Sequence, residues 1–153
     1  MTDLDAYEIK ILRELQKDAS LTTAQIADRV GLSASPCWRR IDRLEREGVI
    51  TRRVALVDRE KVGLNAHVFV QVKLNAHGRA NLDEFAARIH DFPEVLDCYV
   101  MMGSIDFMIR VVAKDIKAYE RFFFEQLSQL PGVQEVNSTV ALSQIKATTE
   151  LPL

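Results

Sequence analysis

Apolar residues recur at helical spacing through the first fifty positions. Leu4, Tyr7, Ile11 and Leu15 fall at steps of three and four, with Ile9 and Leu12 widening the stripe and Glu8 and Lys10 facing out. This predicts a helix over 4–16, capped by Asp3 or Asp5. Thr22 stands three residues before Gln25, a capping-box spacing, and Ile26, Ala27 and Val30 form a short apolar face that Gly31 ends. A third helix follows Ser33-Ala34-Ser35-Pro36, where serine caps and proline is tolerated in the first turn. Its buried side is Cys37, Ile41 and Leu44, and Gly48 stops it. Arg52 to Val57 then reads as a strand, with Val54 and Leu56 on one face.

The pattern changes after a turn at 60–64. From His67 to Leu74 it alternates, with Val68, Val70, Val72 and Leu74 on one side and His67, Phe69, Gln71 and Lys73 on the other. His77-Gly78-Arg79 reads as a turn. Leu82, Phe85, Ala86 and Ile89 mark a helix that Phe92-Pro93-Glu94 breaks. Strands are expected at 95–102, 106–112 and 133–142, with a helix capped by Asp115 before the last of them. The order strand-helix-strand-strand-helix-strand is the ferredoxin-like βαββαβ pattern, an antiparallel sheet with both helices on one face. Phe69, Tyr99 and Met101 fall on its other face, and a second copy is the simplest cover. The fold class is therefore α+β: a helix-turn-helix domain over 1–50, winged-helix-like in outline, a linker strand and turn over 51–64, and a ferredoxin-like domain over 65–153.

Two short helices joined by Gly31-Leu32-Ser33 form a helix-turn-helix, whose second helix enters the major groove. Here that helix carries Arg39, Arg40, Arg43 and Arg46. In the functional reading Ser33, Ser35, Arg39, Arg40 and Arg43 meet phosphates and base edges of double-stranded DNA. In the alternative they form a solvated face laced by Arg43–Glu47 and Asp42–Arg46 pairs. The preceding short helix and glycine turn favour DNA. Arg46, Arg52 and Arg53 stand where they reach DNA backbone or stay solvated. Trp38 is expected to pack on the first or second helix or on a partner chain. One such module contacts few base pairs, so a dimer or larger assembly is expected.

The net charge of −2 does not oppose this, because the charge is uneven. Residues 36–61 carry eight Lys and Arg against five Asp and Glu, while both flanks are acidic. A local basic face is enough to dock on phosphate. With no apolar run of membrane-spanning length, a soluble cytoplasmic protein is expected. Cys37 and Cys98 read as two buried free thiols rather than a disulfide. The histidines lack metal or nucleophile spacing, and there is no phosphate-binding glycine loop. No catalytic residue, metal or cofactor is expected.

The loop Met102-Gly103-Ser104-Ile105-Asp106 is the other candidate site. Glycine permits close backbone approach, and a carboxylate beside free amides suits the ammonium and carboxylate of an amino acid. A turn whose aspartate accepts from its own backbone accounts for the same residues.

Several motifs together resemble the Lrp/AsnC family, over nearly the whole chain. They are Leu4-Asp5 with Ile11-Leu12, Gly31-Leu32-Ser33 with Ser35-Pro36-Cys37, Arg43-Leu44-Glu45-x-x-Gly48-Val49-Ile50, Gly103-x-x-Asp106-Phe107, Leu130-Pro131-Gly132-Val133 and the late Thr139. The resemblance implies a transcription regulator whose ferredoxin-like domain forms homodimers that often assemble into octamers. It also implies a small effector, commonly an amino acid, near the Gly-x-x-Asp loop, and so implicates Gly103, Ser104, Asp106, Tyr99, Met101 and Thr139. Thr51-Arg52-Arg53 departs from the Gly-aromatic pair of many relatives, and Ser104-Ile105 from the more polar or aromatic loops of some. The competing readings are a ligand-independent architectural DNA-binding protein and, less favoured, a small-molecule-binding module or enzyme.

Overall fold

The computed structural model describes residues 3–75 and 82–153, so the turn expected at His77-Gly78-Arg79 lies outside the described residues. The chain forms two compact units, residues 1–56 with 146–153 and residues 57–145. The sequence groups 146–153 with the ferredoxin-like domain, whereas they pack with the first unit.

In the first unit α1 spans Ala6–Lys17, α2 Thr23–Val30 and α3 Ala34–Arg46. Reciprocal capping boxes start two of them. The Asp5 carboxylate accepts from the main-chain N–H of Glu8 while Glu8 Oε2 accepts from that of Asp5, and Thr22 and Gln25 do the same at α2. Each box satisfies main-chain donors that a helix start otherwise leaves open. Gly31, at φ 74°, ends α2 in the left-handed region, and Leu32 N–H reaches back to the Ala27 carbonyl.

The core of this unit is Ile11, Leu12, Leu15, Leu21, Ile26, Ala27, Val30, Cys37, Ile41 and Leu44. A fully buried aliphatic such as Ile11 or Leu44 contributes about 1.5–3 kcal/mol. Two expectations for α1 need correction. Glu8 is buried, not outward, because the capping box and an arginine satisfy its carboxylate, while Tyr7 is 40% exposed and leaves the apolar stripe. The strand expected over 52–57 is absent, since residues 51–58 have no ladder partner among the described residues. Its apolar members Val54 and Leu56 lie exposed.

The second unit runs β1 (Ala66–Leu74), α4 (Leu82–His90), β2 (Val95–Val100), β3 (Phe107–Ala113), α5 (Ile116–Glu125), a 3₁₀ turn and β4 (Val133–Val140). The sheet order is β2-β3-β1-β4 with every pair antiparallel. This is the expected βαββαβ arrangement. One face holds the core: Val68, Val70, Val72 and Leu74 of β1 and Phe107, Ile109 and Val111 of β3 pack with Phe85 and Ile89 of α4 and Tyr119 and Phe122 of α5. Phe85 stacks on Phe107 at 4.3 Å between ring centroids. The opposite face carries Phe69, Tyr99 and Met101, exposed as the alternation requires. Both cysteines are free, but Cys98 is exposed, against expectation. It points to the helix side of edge strand β2, opposite Ile109, where Val100 is uncovered too.

Candidate nucleic-acid interface and ligand site

The chemistry of α3 follows from its two sides. Cys37, Ile41 and Leu44 are buried, and Ser35, Arg39, Asp42 and Arg46 lie opposite them at helical spacing. Ser33 is the N-cap residue but makes no side-chain capping bond. Ser33, Ser35 and Arg39 are exposed. None of their side chains has a hydrogen-bond or ion-pair partner among the described residues. A helix N-terminus with uncommitted hydroxyls and a free guanidinium suits phosphate and base edges.

The other arginines are engaged. Arg40 donates to Asp5 at 2.8 Å and lies over the Tyr7 ring, 5.7 Å from its centroid. Arg43 donates to Glu47 at 2.8 Å and to Glu8 at 3.2 Å. Arg46 pairs with Asp42 and Arg53 with Glu45, both at 2.9 Å. Arg52 is exposed and unpaired among the described residues. Both pairs of the solvated-face reading are therefore formed, and sequence reasoning missed the links from Arg40 and Arg43 to α1. The Glu8 main-chain N–H, with help from Arg40, holds the Asp5 carboxyl below its ordinary value of 3.8 against the opposing effect of burial. Trp38 is 56% exposed, so it does not pack into the core of its own unit.

The candidate effector residues divide. Gly103 sits at φ 141°, which an L side chain rarely adopts. Asp106 reaches beyond its own loop. Its Oδ2 accepts from the Leu74 N–H at 2.7 Å, and its N–H donates to the Val72 carbonyl, so the loop is fastened to the end of β1. Ser104 and Ile105 line a cavity of about 280 Å³ with Gln71, Lys73, Glu135 and Asn137. Lys73 and Glu135 are register partners, so this cup on the open sheet face presents one charge of each sign.

Tyr99 lies in the cross-strand row Tyr99, Met108, Gln71, Asn137, and Thr139 in the row Asp97, Arg110, Phe69, Thr139. Tyr99 and Thr139 stand on opposite edge strands, three strand spacings or about 14 Å apart. One protomer does not bring them together. The polar members of the cup escaped sequence reasoning because Gln71, Lys73, Glu135 and Asn137 have no motif. Only cross-strand register joins them.

The likeness to known proteins is strong over both units. Residues 4–51 match the winged helix-turn-helix DNA-binding model, and residues 67–151 match the Lrp/AsnC ligand binding domain. The chain belongs to the Lrp/AsnC family. Among curated Lrp/AsnC-type relatives, the DNA-binding transcriptional activator DecR of Escherichia coli K12 is 38% identical over 150 residues, 98% of this chain and 99% of DecR. A transcriptional regulator from Neisseria meningitidis, solved as an L-Met complex, superposes with TM-score 0.93 at 37% identity, covering 98% of this chain and 97% of that one. An AsnC family transcriptional regulator from Agrobacterium tumefaciens superposes with TM-score 0.92 at 44% identity, with 97% of each chain covered. This Lrp/AsnC chain is thus a DNA-binding transcription regulator with a ligand-binding domain, in a family of regulators rather than enzymes. Among the described residues no three His, Cys, Asp or Glu are grouped to hold a metal ion, and no helix is long and apolar enough to cross a membrane.

Proposed function

We propose that the chain is an amino-acid-responsive regulator that reads double-stranded DNA through α3 and acts in the cytoplasm as an assembly of homodimers. The observation that carries the DNA reading is the start of α3, where Ser33, Ser35 and Arg39 face solvent with no partner of their own among the described residues. Arg39 takes a base edge or phosphate, and the serine hydroxyls take phosphate. Arg40 and Arg43 join by exchanging Asp5, Glu8 and Glu47 for DNA, and Arg46, Arg52 and Arg53 reach the backbone.

The effector is a free amino acid. The cup beside Gly103, Ser104 and Asp106 offers Lys73 to a carboxylate and Glu135 to an ammonium, and the Neisseria relative was solved with L-Met. Tyr99, Met101 and Thr139 take part through a second copy, because one sheet separates them. The open face with Phe69, Tyr99 and Met101 is the dimer surface, and dimers assemble further to octamers.

The test is binding to the DNA upstream of the protein's own gene, titrated with each of the twenty amino acids. A change in affinity or complex size with one of them identifies the effector. Tight binding with no response to any replaces this reading with the ligand-independent, architectural one. No binding at low salt by folded protein overturns the α3 assignment.

A further inference from the structure

Residues 146–153 follow the last strand of the second unit yet pack with the first. Thr149, Leu151 and Leu153 form one wall of an apolar groove whose other side includes Leu12 and Leu15 of α1 and Ile50. Polar recognition here is aimed at main chain. The Gln16 carboxamide engages both sides of Leu151: its Oε1 accepts from the Leu151 N–H at 2.6 Å, and its Nε2 donates to the Leu151 carbonyl at 3.3 Å. Arg13 Nε and Nη2 both donate to the main-chain oxygen of Leu153, the first at 2.8 Å. Arg13 and Gln16 are three residues apart on α1 and so share one side of it.

The guest is stiff. Pro152 fixes its own φ, and the Leu153 N–H donates to the Leu151 carbonyl at 2.9 Å across it, closing a three-residue turn. A segment ordered in advance loses less entropy on docking.

We propose that α1 carries a peptide-binding site, and that its ligand is this chain's own segment 149–153, held as a Leu-Pro-Leu guest. Gln16 and Arg13 read the main chain, and the groove takes the two leucines. Arg13 and Gln16 are not among the residues proposed to meet DNA, although Arg52 and Arg53 also line the groove. Because the guest is continuous with β4, the DNA-binding unit is fastened to the rest of the chain at both of its ends.

Amide hydrogen exchange of the full chain tests this. In Leu151→Asp the amides of α1 should exchange about tenfold faster, while those of β1 and β3 keep their rates. A synthetic octapeptide with the sequence of residues 146–153, added to that variant, should slow α1 exchange again in a saturable way. Unchanged α1 exchange in Leu151→Asp, or no effect of the peptide at millimolar concentration, overturns the proposal. Should Leu151→Asp lose protection in the sheet as well, the double variant Arg13→Ala/Gln16→Ala decides. It keeps every apolar contact, so faster α1 exchange supports the site and parental exchange overturns it. DNA affinity is not the readout, so failure here leaves the α3 assignment standing.

Discussion

Arg43 of α3 reaches the carboxylate of Glu8 in α1 at 3.2 Å, and Glu8 is only 1% exposed. An arginine on the helix proposed to read DNA is therefore also a strut between two helices. Arg39, four residues earlier, has no such duty. The two arginines should separate experimentally. Arg39→Ala should leave unfolding by urea unchanged within about 0.5 kcal/mol, while lowering the salt slope of DNA binding by about one or relaxing base preference. Arg43→Ala should lower both stability and DNA affinity. Glu8→Ala should cost about 1–2 kcal/mol of stability, since the Asp5 N–H loses its acceptor. An Arg39→Ala protein with parental affinity, slope and preference would remove Arg39 from the interface.

His67 supplies a pH dependence. It is 5% exposed on the β1 side away from the core valines, and neither ring nitrogen has a hydrogen-bond partner among the described residues. Burial, then the nearby charges of Arg59 and Arg110, lower its pKa from 6.5. The folded chain thus resists a proton that the unfolded chain accepts. Stability from this group is full above pH 6.5 and drains as pH falls from there through the depressed folded value. His67→Leu should flatten the pH 5–8 dependence of the melting temperature relative to the parent. Parallel profiles for the two proteins would show that His67 does not carry it.

The open sheet face makes a prediction about mass. Phe69 sits between Arg110 and Thr139 in its cross-strand row and is 40% exposed. A charge there opposes burial against a second sheet. Phe69→Glu should shift sedimentation toward the 17.4 kDa monomer while the helical and sheet signals persist. An assembly unaffected by that change would place the dimer surface elsewhere.

The observed fastening by Asp106 and its proposed part in amino-acid binding can be separated by substitution. Its Oδ2 accepts from the Leu74 N–H at 2.7 Å. Asp106→Ala should cost about 1–3 kcal/mol, because that donor loses its acceptor. Asp106→Asn keeps an oxygen there and should regain most of the stability, while amino-acid binding measured by calorimetry stays weak. If Asn restores binding as well, the aspartate only fastens the loop.

Much of this was legible in the spacing of residues. Thr22 and Gln25 announced a capping box, and the period-two run at 67–74 announced the central strand. Asp5 and Glu8 have the same spacing as Thr22 and Gln25, so the box at α1 was readable too. Glu8 was misplaced because helical-face reasoning sends carboxylates outward, whereas the capping box and a long-range arginine together make its burial tolerable. Residues 52–57 alternate like a strand, but alternation does not supply a ladder partner. Cys98 alternates inward, but on an edge strand where it stays exposed. Thr139 and Tyr99 share a face, yet register sets them on opposite edges. The tail at 149–153 has no period, and its contacts cross more than 130 positions of sequence.

The return of that tail to the first unit changes what a protease would produce. A single nick at Val57, beyond the first unit's main segment, leaves a 1–56 fragment that still holds Leu151 and Leu153 of the other piece through Gln16 and Arg13. The two pieces would run apart on a denaturing gel and travel together through a sizing column. The chain passes between the two units twice, at 56–57 and at 145–146, and one cut opens only one of these crossings.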